Sequence, residues 1–544
     1  MRKPIKVMDI ELSSPILSVE GVNGYELLQV LVRLHGVPIG YVKIPVTQGI
    51  CTSAVISKAI LEKLSHAIIR HLLCDSLMAQ PKPGGLRIDD LLNVPHPVYN
   101  GTFPLITVAV CTRDRVSDLA RCLDSLNGLD YPTLDILVID NAPAGDATER
   151  LVRATYTNVR YVLEPRPGLD WARNRAIIES RGEIIAYTDD DVVVDSGWAK
   201  ALANVFIENP EVMAVTGLVV PYELETEAQM LFEQNGGFGR GFERKWCRVD
   251  CESGERAATR HAGTGKYGTG ANMAYRRSLF DMIGGFDPAL DVGTATNGGG
   301  DLEMFFRILK KGYTLVYEPS AMVRHCHRRD YARLRAQITT WGTSFSAYLV
   351  QSISAYPDER VAFIRLGLHE LWLQVRRLLI SCAFPSHFPR DIILARLRAS
   401  FSGLQSYQKA KRMAAKIVKD FGDIIPVTKP HEIVLRKPGL RRPKAVAVRA
   451  LDITQSLCAL TDVADYARVR ISVASNGQYL GTVDIANRHQ SISITRLCEA
   501  IVGHFGLKLL KQSHNLSKDS LQAAMLAALA RGSVKIEVAS YSRA

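Results

Sequence analysis

The run Ile184-Ile185-Ala186-Tyr187-Thr188-Asp189-Asp190-Asp191-Val192-Val193-Val194 constrains this chain more than any other stretch. Its first residues are apolar and β-branched without alternation, the pattern of a strand buried on both faces of a parallel sheet. Three consecutive carboxylates at its carboxyl end repel one another unless something cationic sits among them. A divalent ion on oxygen ligands, itself bridging phosphates, meets that need. An acidic turn after a strand is the plainer alternative.

The surrounding pattern alternates between the two periodicities. Strands are expected over 106–111, 135–140, 159–163 and 184–187, and helices over 116–127, near Thr148 and over 171–180. Strand and helix in turn give a mostly parallel sheet with ligands at the strands' carboxyl ends. Those ends deliver Thr112-Arg113-Asp114-Arg115, then Asp140, then the Arg-rich start Trp171-Ala172-Arg173-Asn174, then the triple Asp. A nucleotide diphosphate needs such a set: a carboxylate for the base edge, Arg for phosphate charge, and a metal across the diphosphate.

A chain of 544 residues is too long for one core, so several domains are expected. The two ends resemble each other at an offset of 441 residues: Gly36 meets Gly477, Gly40 meets Gly481, Val42 meets Val483, Ile44 meets Ile485, and Ala59-Ile60 meets Ala500-Ile501. Asp9-Ile10 and Asp452-Ile453 open the two copies with a small slip in register. Each copy reads as a strand, a hairpin turned at Gly, a second strand and an amphipathic helix. A chance likeness of two hairpins is the alternative. The expected division is a small α+β module over 1–80, a linker over 81–103, the central α/β domain over 104–329, a helical region over 330–423, a linker over 424–444 and the second module over 445–544.

The net charge of +12 points to an anionic partner. The basic residues are dispersed without a stacking aromatic motif, so nucleic acid is not expected. The start has no secretory pattern, and the most apolar window, 363–384, is broken by Arg365, His369, Glu370, Arg376 and Arg377. Ten scattered cysteines fit a reducing cytoplasm. Cys247 and Cys251 with His261 could form half a zinc site; with no second ligand pair nearby, loop thiols are the simpler reading.

Taken together, the motifs from about 105 to 327 resemble the family-two glycosyltransferases, inverting nucleotide-sugar transferases with a Rossmann-like GT-A fold. The resemblance implies that Thr112, Arg113 and Arg115 line the nucleotide, that Asp140 contacts its base, and that Arg173 and Asn174 approach the sugar nucleotide. Asp189 and Asp191 match the family's DxD motif around Asp190, with Asp191 the direct metal ligand and Asp189 nearer the ribose. Gly270-Ala271-Asn272 resembles the glycine-rich segment at donor sugar and acceptor, where small residues let backbone approach a sugar. In Gly300-Asp301 the family usually has Glu-Asp, the Asp being the general base. Here Asp301 is kept and its acidic neighbour is lost, which makes Glu303 a substitute to test. Asp301 could equally be a helix N-cap, and the two roles are compatible. His325 stands where a His in this fold reaches the metal or diphosphate, or else makes a structural hydrogen bond. Gln337-Ile338-Thr339-Thr340-Trp341 is similar to the Gln-x-x-Arg-Trp motif of processive members, but Thr340 replaces the Arg, so processive synthesis is not expected.

The reading is a cytoplasmic, metal-dependent (Mn²⁺ or Mg²⁺), inverting glycosyltransferase acting from a nucleotide-diphospho-sugar, UDP favoured by the resemblance, on a hydroxyl acceptor in polysaccharide, glycolipid or glycoconjugate synthesis. The basic helical stretch 366–398 suits peripheral contact with the inner face of a membrane, although an ordinary helical bundle is the simpler account. The terminal modules suit an oligomer or protein partner. The rival readings are a nucleotidyltransferase, which lacks its phosphate loop here, and a non-catalytic scaffold.

Overall fold

The computed structural model describes residues 3–79, 94–249, 257–384, 388–424, 446–487, 490–514, 520, 523–524, 527 and 539–541. The chain forms two compact units. One holds Phe103–Phe206 and Val212–Ile433; the other holds Arg2–Thr102, Ile207–Glu211 and Val434–Ala544.

The first unit is built on a mixed, mostly parallel sheet. Strands β5 (Ile106–Thr112), β6 (Leu134–Asn141), β7 (Val159–Glu164) and β8 (Ile184–Asp189) run parallel in the order β8-β5-β6-β7. The apolar runs of β5, β6 and β8 are buried on both faces because helices cover them, whereas the edge strand β7 is half-exposed: α2 (Val116–Asn127), α3 (Ala147–Thr155) and α4 (Leu169–Glu179) fall where the periodicity puts them. Beyond β8 the sheet continues through β12 (Asn272–Arg276), antiparallel to both its neighbours, to β10 (Val212–Pro221) and β13 (Thr314–His325), which run parallel to each other. The short β9 (Val192–Val194) pairs with the end of β13. That pairing lays His325 opposite Val192, beside the triple Asp. The short strand β11 (Lys245–Cys247) pairs with β13, and the short helices α6 (Glu227–Gln234), α7 (Ala257–His261) and α8 (Leu279–Ile283) lie in the connections. Helix α5 (Trp198–Glu208) and helix α9 (Gly300–Lys310) complete the α/β layer, and Met304, Phe305 and Phe306 of α9 join the main core.

The region expected to be helical consists of α10 (Tyr331–Ala355), α11 (Arg360–Ala383) and α12 (Arg390–Phe421), with α10 packed along α12. Among the described residues no helix is long and apolar enough to cross a membrane. The expected linker 424–444 lies, apart from Ile424, outside the described residues, as does Cys251 of the half zinc site.

In the second unit, β1 (Ile5–Glu11) runs parallel to β2 (Leu27–Leu34), which forms a hairpin with β3 (Val37–Pro45) before helix α1 (Ser53–Met78). The C-terminal part repeats this plan as β14 (Val446–Asp452), β15 (Arg468–Ser475), β16 (Gln478–Ala486) and α13 (Ile494–His514). The correspondence is residue for residue. Ile5 pairs with Leu27 as Val446 pairs with Arg468, the β-bulge between Val32 and Arg33 recurs between Val473 and Ala474, and the Val19–Cys51 bridge recurs as Leu460–Ile492. All keep one offset, so the slip read at Asp9 and Asp452 is absent. The true counterpart of Asp452 is Glu11, because both carboxylates accept the backbone N–H groups of the following hairpin turn, His35 and Gly36 in one copy and Asn476 and Gly477 in the other. A lone three-stranded sheet with one helix has little to bury. Here the two copies share one apolar core, with α1 against α13. Part of the expected linker 81–103 is a strand, β4 (Pro97–Tyr99), because β17 (Ala539–Tyr541) pairs with it.

Candidate active site

Neighbouring parallel strands put their last residues side by side. Thr112 at the end of β5 is in register with Asp140 of β6, and Cys111 with Asp189 of β8. Just past β8, Asp190 and Asp191 are nine-tenths or more buried. Part of the positive charge that three acids require is supplied by the chain itself. Arg115 donates to Asp190 at 2.5 Å and to Asp191 at 3.0 Å, and it also reaches Asp118 at 2.7 Å. Thr112 Oγ1 donates to the other oxygen of Asp190 at 2.8 Å. Arg328, just past β13, stands 3.4 Å from Asp191. Thr112 and Arg115 therefore organise the acids, whereas Arg113 extends outward, half exposed, with Asp114 at 3.9 Å.

The three carboxylates are not equivalent. Burial pushes Asp190 up to about 7 against the pull of Arg115, and burial with the charge of Asp191 pushes Asp189 up to about 6. Asp191 goes the other way. Burial opposes its charge, but His325, Arg115 and Arg328 outweigh it and hold the carboxyl below its ordinary range. Burial drives His325 down to about 4, which leaves a neutral imidazole whose Nε2 lies 3.4 Å from Asp191 Oδ1. Its other nitrogen meets His327 Nδ1 at 2.9 Å, and His327 in turn meets Glu233 at 2.9 Å. Phe232, Phe238 and Trp341 pack around this His pair, so Trp341 belongs to the apolar wall behind it.

A second cluster forms where α4, α9 and the segment before β12 meet. Arg173 is buried; it donates to Asp170 Oδ1 at 2.9 Å and lies over the Phe286 ring. Its charge acts on Asp170, Asp189 and Asp301 together, which joins this cluster to the triple Asp. Asp301 is not the helix cap. Gly299, in the left-handed region at φ 109°, holds that position, and Asp301 sits in the first turn of α9. Its Oδ2 accepts from Gly270 N–H and its Oδ1 from Leu302 N–H, both at 2.9 Å. Gly270 leaves room for this arrangement: a Cβ would stand 2.4 Å from Arg173 Nη2 and push the guanidinium aside.

The missing acidic neighbour of Asp301 has a steric cause. A Cβ on Gly300 would stand 1.9 Å from Asp170 Oδ2, so the Asp170 carboxylate fills the space where a glutamate side chain at this position would begin. Burial pushes Asp170 up to about 7 against Arg173. Glu303, the candidate substitute, faces elsewhere: it pairs with Arg307 and accepts from Tyr356 Oη at 3.1 Å.

Several residues expected at the ligand also make hydrogen bonds that brace the fold. Asn174 spends both ends of its amide on the Phe286 main chain, at 3.0 and 2.8 Å. Asn272 is fully buried, donating to Leu218 O and Ala321 O and accepting from Trp198 Nε1. Ala271 accepts from Thr188 Oγ1 through its carbonyl. Asp140 lies buried at the end of β6, where Tyr161 Oη donates to it at 3.0 Å and burial raises its pKa.

Residues 107–284 match the family model described as Glycosyl transferase family 2. The central domain belongs to glycosyl transferase family 2. The chain is 24% identical over 304 residues to a pre-mycofactocin glycosyltransferase of Mycobacterium tuberculosis, covering 55% of this chain and 59% of that one. It is 23% identical over 232 residues to a glucosyl-dolichyl phosphate glucuronosyltransferase of Haloferax volcanii, covering 40% and 68%. The chain thus spans about three fifths of the mycobacterial relative's length, 59%. Among solved structures it is similar to a mannosyltransferase from Pyrobaculum calidifontis in complex with GDP-Man and Mn²⁺, at 19% identity, 68% of this chain, 98% of that chain and a TM-score of 0.36.

Within this glycosyl transferase family 2 domain, two site residues escape a reading of the sequence. Arg328 joins the triple Asp from beyond β13, and nothing local in the sequence marks it. Asp170 carries a signal that could have found it: it precedes Arg173 by three residues at a helix start, the spacing at which two side chains meet.

Proposed function

We propose that the central domain transfers a sugar from a nucleotide-diphospho-sugar to a hydroxyl acceptor, with inversion at the anomeric carbon and with a divalent metal. The observation that carries this reading is the buried Arg173, which donates to Asp170 at 2.9 Å and lies against Gly270, whose N–H donates to Asp301; its charge also acts on Asp189 at the end of β8. Asp301 is the general base: its carboxylate takes the acceptor's hydroxyl proton as that oxygen bonds to the anomeric carbon. The bond from that carbon to the diphosphate breaks in the same step, and no protein nucleophile is needed. Arg115 and Arg328 offer charge to the diphosphate, and Asp140 faces the base.

The donor set fits a metal. Asp191 is held ionised beside the neutral Nε2 of His325 at 3.4 Å, a spacing two ligands of one ion can share. Asp191 and His325 would hold Mn²⁺ or Mg²⁺, with substrate phosphates supplying further oxygens. The ion would offset charge appearing on the departing diphosphate. The space taken up by Asp170 explains Gly300 without loss of the site, which argues against a scaffold.

The test is thermal stabilisation by UDP, GDP, dTDP and CMP, each with and without Mn²⁺. One nucleotide is expected to raise Tm by about 2–4 °C with Mn²⁺, the shift that about 100-fold excess over Kd gives in a protein of this size. Asp191→Ala is expected to abolish it. No metal-dependent shift with any nucleotide would end this reading.

A peripheral membrane position is supported by α11. Val361, Ile364, Leu368, Trp372 and Leu379 are each at least half exposed. Steps of three, four and seven put them on one stripe. Arg365 and Arg376 lie on the same helix, and Arg376 sits 5.6 Å over the Trp372 ring. An apolar stripe with Trp and Arg suits an anionic bilayer surface. Leu368→Glu with Leu379→Glu is expected to reduce co-flotation with phosphatidylglycerol vesicles at least tenfold. Equal flotation of this variant and wild type would reject the membrane contact.

A further inference from the structure

The N-terminal module carries a side-chain cluster that sugar transfer does not use. His35, His71, Asp75 and His96 bring one ligating atom each to within 4.8 Å of one another, the single such group of three or more among the described residues. His35 Nδ1 lies 2.9 Å from Asp75 Oδ2, His71 Nε2 3.1 Å from it, and His96 Nδ1 3.1 Å from it. His71 Nε2 and His35 Nδ1 are 3.2 Å apart. Four ligands on a tetrahedral ion with bonds of about 2.0 Å stand about 3.3 Å from one another, so these separations are close to those of a ligand set. The side chains of Asp75 and His35 are 2% and 4% exposed, His71 11% and His96 32%. The centre is enclosed and has an open side at His96.

The internal repeat serves as a control. The β2–β3 hairpin turns through His35 and Gly36 at φ 55° and 79°, and the β15–β16 hairpin through Asn476 and Gly477 at φ 49° and 73°. Two positive φ values make a type I′ turn, for which Asn-Gly is the favoured pair. The second copy has that pair. The first places His there, and its imidazole reaches Asp75 on α1. At the same offset of 441 residues, Gln512 stands opposite His71 and Leu516 opposite Asp75 in the sequence. One copy of a shared fold thus carries the cluster and the other lacks it, so the fold itself does not require it.

We propose that His35, His71, Asp75 and His96 bind one Zn²⁺ that ties the β2–β3 turn and the entry to β4 onto helix α1. Three imidazoles and one carboxylate suit Zn²⁺ and disfavour Ca²⁺ or Mg²⁺, which want oxygen. With four protein ligands the ion is structural. His71 and Asp75 are one helical turn apart on one face of α1, and the other two ligands come from segments with no helix of their own.

The experiment uses the full chain, stripped with EDTA and reloaded with Zn²⁺, with zinc per chain and Tm as readouts. Wild type and Asp191→Ala are expected to retain one zinc and to gain Tm on loading. The variant His35→Asn with His71→Gln, carrying the residues of the second copy, is expected to fold and to lose both effects. Co²⁺ loading should give tetrahedral visible bands in wild type and none in that variant. Failure of wild type to retain zinc would show the cluster to be hydrogen bonds around a carboxylate and would overturn the proposal. Retention unchanged in the double variant, or loss in Asp191→Ala, would overturn it as well.

Discussion

Asp301→Asn is expected to slow sugar transfer by about 10²- to 10⁴-fold, the range a positioned general base contributes, while nucleotide binding with Mn²⁺ stays intact. The separation follows from placement. The Asp301 carboxylate is anchored by the N–H groups of Gly270 and Leu302, whereas the acids and arginines proposed to face the diphosphate lie past β5, β8 and β13. Asn keeps a carbonyl oxygen for one of these two donors, turns its amide NH2 toward the other, and loses the ability to take a proton near neutral pH. The measurement is turnover against nucleotide-dependent Tm for the same preparation. Loss of both would make Asp301 a structural residue. Loss of neither would move the base elsewhere, and Glu303 is a poor successor because Arg307 and Tyr356 already hold it.

Much of the central domain was legible because its strands are continuous apolar runs and its helices carry clear periodicity. The helix expected over 116–127 is α2, Val116–Asn127. The terminal repeat was legible from glycine spacing, since Gly36 and Gly477 mark a positive-φ turn position that both copies keep. Pairings across distance were not legible. Arg115 finds Asp190 over 75 residues of chain and Arg328 finds Asp191 from beyond β13, so a triple Asp that pointed to a metal is already balanced in part by arginine. Asn272 looked like a ligand because it follows Gly270-Ala271, yet its amide is needed to satisfy buried carbonyls where β10, β12 and β13 meet. In the N-terminal module, the His71–Asp75 spacing was open to reading from sequence. What His35 and His96 add depends on a hairpin turn and a loop returning to the same helix.

The departure at Gly300 yields the sharpest structural expectation. A glutamate in place of Gly300 would drive its Cβ into Asp170 Oδ2, at 1.9 Å. Gly300→Glu alone is therefore expected to cost at least the 1–3 kcal/mol of ordinary overpacking, roughly, and to abolish transfer. Asp170→Gly alone removes the direct partner of the buried Arg173, a change that typically costs about 3–5 kcal/mol. Combined, the two changes should offset each other. The incoming glutamate finds the space that Asp170 vacates and can carry the negative charge that Arg173 requires. A coupling energy of about 2 kcal/mol or more is expected from urea unfolding of the four proteins in the cycle, with the double variant regaining measurable transfer. Additive losses would mean that the two positions do not share one carboxylate site. The glycine at this position would then be an unrelated loss, and the scaffold reading would regain weight. Coupling would show that the acidic neighbour of Asp301 has moved in the chain from the start of α9 to the start of α4 and kept its place in space.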